Sequence, residues 1–135
     1  MSRFADYADD MSTDSTLSAN DRRIDYVELV VRDIARAKQF YAQAFGWEFT
    51  DYGPEYAGFS DGRLNGGLQV GEPKPGGPLV IMYGTDLAAT QARVEGAGGS
   101  IVVEPFAFPG GRRFHFTDLD GYELAVWSDT SPAAA

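Results

Sequence analysis

The chain has 135 residues, 44% of them hydrophobic and 23% charged, which is one domain's length with enough apolar material for a core. It contains no cysteine, which excludes a disulfide scaffold, a thiol nucleophile, a zinc knuckle and a cysteine-held iron–sulfur cluster. With 20 acidic against 11 basic residues (net −9), it is a poor match for nucleic acid or an anionic membrane. No apolar run approaches the roughly 18 residues of a membrane span, and residues 1–20 lack a signal peptide's basic start and apolar stretch, so a cytoplasmic protein is expected. Residues 1–22 carry Asp6, Asp9, Asp10, Asp14 and Asp21 against Arg3 and Arg22, with no helical or strand period. They read as an acidic, mobile or loosely docked arm.

The folded domain is expected over 23–129, with a plain tail at 130–135. Ile24–Val31 alternates as a half-buried strand. Asp33 is placed to cap a helix through Ile34, Ala37, Phe40, Tyr41, Ala44 and Phe45, and Gly46 to stop it. Trp47–Asp51, Tyr56–Ser60 and Gly67–Val70 read as strands, with turns at Asp61–Gly62 and Asn65–Gly67. The proline- and glycine-rich Glu72–Pro78 is a linker. The pattern then repeats: strand Leu79–Tyr83, a helix from Leu87 to about Gly96 capped by Thr85 or Asp86, and strands Ser100–Val103, Phe114–Thr117 and Glu123–Trp127. The two helix caps, Asp33 and Asp86, lie 53 residues apart, and Phe59-Ser60-Asp61 answers Phe116-Thr117-Asp118 at an offset of 57. This is a duplicated β-α-β-β-β module, 24–71 and 79–128, of the α+β class. One helix covers one face of each sheet, so the other face is left to line a cleft.

Several segments carry a resemblance: Tyr26-Val-Glu-Leu-Val-Val-Arg-Asp33, Phe40-Tyr41, Phe45-Gly46-Trp47, Ala97-Gly-Gly99 and Phe116-Thr-Asp-Leu-Asp-Gly121. Together they resemble the glyoxalase / bleomycin-resistance / extradiol-dioxygenase (vicinal oxygen chelate) superfamily over about Ile24–Ser128. The resemblance implies two βαβββ modules forming a half-open barrel around a small-molecule site, usually in a homodimer. It leaves the chemistry open, since members include lyases, isomerases, dioxygenases and proteins that modify or sequester antibiotics. Their chemistry usually rests on a divalent metal held by His and Glu. The ligand positions the resemblance assigns are Tyr26, Leu79 and Ala125, with Leu68 as the first-half counterpart of Ala125 and Gln69 beside it. None is a strong metal ligand. A metal-free organic-ligand site, with no cofactor, is the reading that follows.

With 26, 79 and 125 placed inward by the resemblance, alternation brings in Glu28, Val30, Ile81, Tyr83, Glu123 and Trp127. His115, the sole histidine, is placed inward as well, at a position where similar antibiotic-resistance proteins contact substrate. Glu28 and His115 are the candidate catalytic pair, because a carboxylate on an apolar wall and an imidazole both suit proton transfer near neutral pH. Tyr26, Tyr83, Arg113, Glu123 and Trp127 are the candidate substrate contacts. Pro109-Gly-Gly-Arg-Arg113 reads as a loop whose arginines suit a carboxylate or phosphate, Arg113 being on His115's face. The bland alternatives are a hydrogen-bonded strand histidine, a rim salt bridge for Glu28, and arginines paired with Glu104 or Asp118. Phe40, Tyr41, Phe45 and Trp47 read as core.

Two functions fit. One is a metal-independent lyase- or isomerase-type proton transfer on a small metabolite, with Glu28 and His115 moving protons and Arg113 orienting an anion. The other is a non-catalytic protein that sequesters a drug or natural product between Trp127, Tyr26 and Tyr83. A metal-dependent lyase or dioxygenase would need a non-standard site from Glu28, His115 and Glu123.

Overall fold

The structure is a computed structural model that describes residues 4–11 and 17–129. The expected tail at 130–135 and residues 1–3 and 12–16 of the arm lie outside the described residues. The chain divides into two compact units: Tyr26–Leu79 with Phe4, and Ala5–Asp25 with the residues from Val80 onward. One helix from each repeat packs on the strands of its own unit, and a further short helix precedes both repeats in the chain.

In the first unit, β1 (Arg23–Val31) leads into α2 (Ile34–Phe45) and then β2 (Glu48–Asp51), β3 (Tyr56–Ser60) and β4 (Asn65–Val70); α1 (Phe4–Met11) precedes them in the chain. The strand order is β2-β3-β4-β1, with β1 and β4 parallel and the other pairs antiparallel. Asp33 caps α2 by accepting from the Arg36 amide at 3.0 Å, and Gly46 ends it in the left-handed region at φ 73°. Trp47 lies stacked between Tyr41 (4.6 Å) and Phe59 (4.4 Å), which ties α2 to the sheet. No residue of α2 is fully buried, and Phe40 and Phe45 are 58% and 66% exposed, so the expectation that both are core is corrected. Their rings pack on each other (6.5 Å) and on Tyr41 (5.0 and 6.4 Å) and leave most of their surface in solvent.

In the second unit β5 (Leu79–Tyr83) is followed by α3 (Leu87–Gly96), β6 (Ser100–Phe108), β7 (Gly111–Thr117) and β8 (Glu123–Asp129). The order is β5-β8-β7-β6, β5 and β8 parallel. Asp86 caps α3 through the Ala89 amide at 3.0 Å. Leu87, Phe114, Phe116 and Val126 form the core under α3, joined by Met82, Val94, Ile101 and Leu124. Residues 109–113 are not the expected anion-binding loop. β6 runs on to Phe108, Gly110 (φ 98°) makes a tight turn, and Gly111–Arg113 belong to β7. Pro105 is tolerated inside β6 because that strand is an edge, where one row of amides needs no partner.

The acidic arm is also more regular than its composition suggests. Residues Phe4–Met11 are helical, and Phe4, Ala5 and Ala8 are buried along one face. A Cβ on Gly110 would lie 2.5 Å from the Asp9 amide nitrogen and 2.6 Å from the Ala8 carbonyl carbon, so that turn must be glycine for α1 to approach it. Further along, Leu17–Asn20 forms one 3-10 turn with Leu17 buried. The Arg22 amide donates to the Tyr83 carbonyl (2.8 Å), and Asp21 accepts from the Thr85 amide (2.8 Å). Asp25 is only 5% exposed, and its carboxylate accepts from Trp127 Nε1 (2.9 Å) and Asn20 Nδ2 (2.7 Å). A buried carboxylate is tolerable only with such donors. Replacing Trp127 by Phe keeps a ring but removes one of them. Urea denaturation is expected to show a loss of about 2–3 kcal/mol for Trp127→Phe, the cost of depriving a buried charged acceptor of a donor.

Candidate functional site

Cross-strand partners share a face, so register decides which side chains lie together. In the second unit the pairs Ile81↔Ala125, Tyr83↔Trp127, Arg113↔Trp127, His115↔Ala125 and Thr117↔Glu123 put Ile81, Tyr83, Arg113, His115, Glu123 and Trp127 on one face. Phe114, Phe116, Leu124 and Val126 lie on the other, under α3. Every second-unit residue proposed from the sequence is therefore on the face opposite α3. In the first unit, Tyr26↔Asn65, Glu28↔Gly67, Tyr56↔Gln69 and Gly58↔Gly67 place Tyr26, Glu28 and Tyr56 together, opposite the Phe59 and Leu68 side.

That register corrects one equivalence. Ser60 pairs with Asn65 across the first hairpin, whereas Thr117 pairs with Glu123 across the second, whose turn is one residue longer. The offset of 57 therefore holds on β3 and β7 but not on β4 and β8. Gly67, not Leu68, is the counterpart of Ala125. The positions that family members use for metal ligands thus hold Tyr26, Gly67, Leu79 and Ala125, and Tyr26 Oη is engaged by Tyr56. Two aliphatic side chains, a glycine and a hydrogen-bonded phenol do not fit a divalent ion. Among the described residues no three His, Asp or Glu side chains come together as a metal cluster.

Around Tyr26 and Gly67 in the first unit runs a chain of hydroxyls ending on a carboxylate. Tyr56 Oη donates to Glu28 Oε2 at 2.8 Å and lies 2.7 Å from Tyr26 Oη. A phenol has one proton, so with Tyr56's given to Glu28, Tyr26 supplies the proton of the second bond. Both tyrosines are fully buried, and the Phe4 ring meets Tyr26 edge-on at 4.9 Å. Burial, then the Glu28 carboxylate and Tyr26, push the Tyr56 phenol well above its ordinary value, so it remains a donor. Tyr56 was absent from the sequence-based candidates. Its signal was the glycine pair 66–67, read as a turn but lying inside β4: a strand glycine marks a close approach, and a Cβ on Gly67 would fall 1.8 Å from Tyr56 Oη and 2.6 Å from Tyr26 Oη.

The second unit holds a different chain. Arg113 Nε donates to His115 Nε2 at 2.9 Å, and His115 Nδ1 lies 2.8 Å from Glu123 Oε2. Arg113 is 6% exposed, whereas the Glu123 side chain is 52% exposed. Tyr83 and Trp127 meet edge-on at 5.2 Å with their polar atoms committed inside the fold, Tyr83 Oη donating to Asp129 and Trp127 Nε1 to Asp25. Burial and Asp129 raise the Tyr83 phenol.

Two outcomes follow. Gly67→Ala forces the Tyr56 ring out of its place, and chemical denaturation should show a loss of about 1–3 kcal/mol, the usual range for overpacking. The second concerns alkali. Above about pH 10 unfolded tyrosine loses its proton while native Tyr56 keeps it, so the native state binds more protons and stability falls as pH rises. Denaturation from pH 9 to 11 should show a smaller fall for Tyr56→Phe than for the parent.

A family model described as "Glyoxalase/Bleomycin resistance protein/Dioxygenase superfamily" matches residues 23–126. The anthracycline biosynthesis protein DnrV of Streptomyces peucetius is 33% identical over 117 residues, covering 70% of this chain but only 42% of that protein. Among solved structures, the Mn(II)-bound glyoxalase of Novosphingobium aromaticivorans is 28% identical with a TM-score of 0.59, covering 80% of this chain and 39% of that one. Methylmalonyl-CoA epimerase of Mycobacterium tuberculosis shares the fold at 18% identity, with a TM-score of 0.64 and coverage of 83% and 91%. With its two βαβββ modules and its match along 23–126, this chain belongs to the glyoxalase/bleomycin resistance/dioxygenase superfamily.

Proposed function

We propose that the chain binds a small organic molecule and moves a proton on it without a metal, as a lyase- or isomerase-type catalyst. The observation that carries this reading is the Tyr26–Tyr56–Glu28 hydrogen-bond chain, which begins at Tyr26, a position the resemblance assigns to a metal ligand. A metal in such a fold stabilises negative charge on substrate oxygens; here the polar groups available are a carboxylate and phenols. Glu28 is the acceptor of the substrate proton. Tyr56 stabilises its carboxylate beforehand and, by keeping its own proton, does not compete for the one transferred.

The similarity to an anthracycline biosynthesis protein supports a polycyclic aromatic ketone as the ligand class. The exposed Phe40 and Phe45 of α2 favour a homodimer, and no described helix is long and apolar enough to cross a membrane, in keeping with a cytoplasmic setting. Sequestration of the same ligand without turnover is the second reading, favoured by His115 having both ring nitrogens engaged by protein.

An anthracycline aglycone with a ketone side chain separates the two. Incubated with the protein in D2O, it should take up deuterium beside the carbonyl, as read by mass spectrometry. Glu28→Gln should slow uptake by about 10²–10⁴-fold while binding, followed by quenching of aglycone fluorescence, changes little. Tight binding with no isotope uptake by the parent protein would establish sequestration instead.

A further inference from the structure

The Arg113–His115–Glu123 chain carries a consequence for when His115 can act. A guanidinium has only donors and stays charged, so the atom receiving Arg113 Nε–H must offer a lone pair. That atom is His115 Nε2, at 2.9 Å. The single ring proton is therefore on Nδ1, where it is donated to Glu123 Oε2 across 2.8 Å. While this arrangement holds, His115 is a neutral imidazole whose basic lone pair is occupied. Glu123 has oriented the ring as a base would need, but Arg113 blocks it.

We propose that Arg113 is a ligand-responsive lock on His115, released by a carboxylate on the bound molecule. A carboxylate offers two oxygens to the guanidinium fork and is a far better acceptor than a neutral imidazole nitrogen. Once it takes the Nε–H, Nε2 is left with a free lone pair and His115 becomes able to accept a proton. The ligand class follows from the surroundings. Phe106, 42% exposed, is the β6 register partner of Arg113, and its ring lies 6.4 Å from the His115 ring. Trp127 is the β8 partner of Arg113. Aromatic rings beside a cation suit an aromatic acid. Arg113 is a positioning residue here, since it acts on chemistry through His115. The inference rests on the ligand-binding reading above, not on turnover.

His115 is the only histidine in the chain, so its ring nitrogens give an unobstructed ¹⁵N NMR signal. The parent protein should show the Nδ1–H tautomer with Nε2 as an acceptor. Titration with benzoate should move the Nε2 resonance to saturation, and chloride at equal ionic strength should leave it in place. In Arg113→Met the Nε2 resonance should already be displaced without benzoate, and benzoate affinity should drop tenfold or more. Arg113→Lys, which keeps the charge but not the fork, should show the same direction of change if the methionine variant does not fold. A proton on Nε2 in the unliganded parent overturns the lock. So does benzoate that fails to bind, or that binds without moving the resonance. A protein that answers benzoate in this way yet exchanges no deuterium loses the proton-transfer reading and keeps the lock.

Discussion

The first unit is organised around a side chain that β4 does not have. At Gly67 the strand presents bare backbone, and the Tyr56 hydroxyl lies where a Cβ would stand, 1.8 Å from its ideal position. From there Tyr56 reaches Glu28 on β1 and meets Tyr26 in the same layer. Neighbouring Gly66 does the same on the opposite face: a Cβ there would be 2.2 Å from the Phe59 ring, which carries Trp47 and through it Tyr41 of α2. Two adjacent glycines thus seat one aromatic ring on each side of a single strand. The polar layer and the aromatic layer both depend on that bare stretch of backbone.

The second unit solves its polar problem differently. Its buried polar groups are bonded to neighbours near and far in the chain: Asp25 accepts from Trp127, 102 residues away, and from nearby Asn20, and Arg113 donates to His115 two residues on along the same strand. The segment from Leu17 to Asp25 is held by contacts to Tyr83, Thr85 and Trp127, so its acidic residues are structural as well as solubilising. No buried polar side-chain atom among the described residues lacks a hydrogen-bond partner. This matters for the chemistry. A group already bonded to protein must exchange partners before it acts on a ligand, and exchange between a neutral nitrogen and a carboxylate runs toward the carboxylate.

The two units share a plan but not a site. A metal in this superfamily would draw like ligands from corresponding strands of both modules. Here the corresponding positions have diverged to Tyr26 against Leu79 and Gly67 against Ala125. The first unit keeps phenols and a carboxylate, and the second an arginine, an imidazole and a carboxylate.

Much of this was legible in the sequence because it depends on local periodicity. Asp33 and Asp86 are caps, Gly46 is a left-handed stop, and period-two alternation put Tyr83, Arg113, His115, Glu123 and Trp127 on one face. The repeat and the helix positions follow from the same regularities, while the superfamily was legible through the resemblance of motifs such as Tyr26–Asp33 and Phe116–Gly121. What the sequence could not decide was anything set by contacts between distant strands. The extra residue in the 118–122 turn shifts the equivalence to Gly67 only once the hairpins pair. Tyr56 becomes a site residue only because β3 lies beside the bare backbone of β4. Phe40 and Phe45 stay mostly exposed although they lie on the apolar stripe of α2, because burial depends on what packs against a side chain and not on its spacing. Which nitrogen of His115 holds the proton is likewise settled by where Arg113 and Glu123 arrive in space. Alternation fixes the face of each side chain, but its hydrogen-bond partner depends on tertiary distance, which no local pattern encodes.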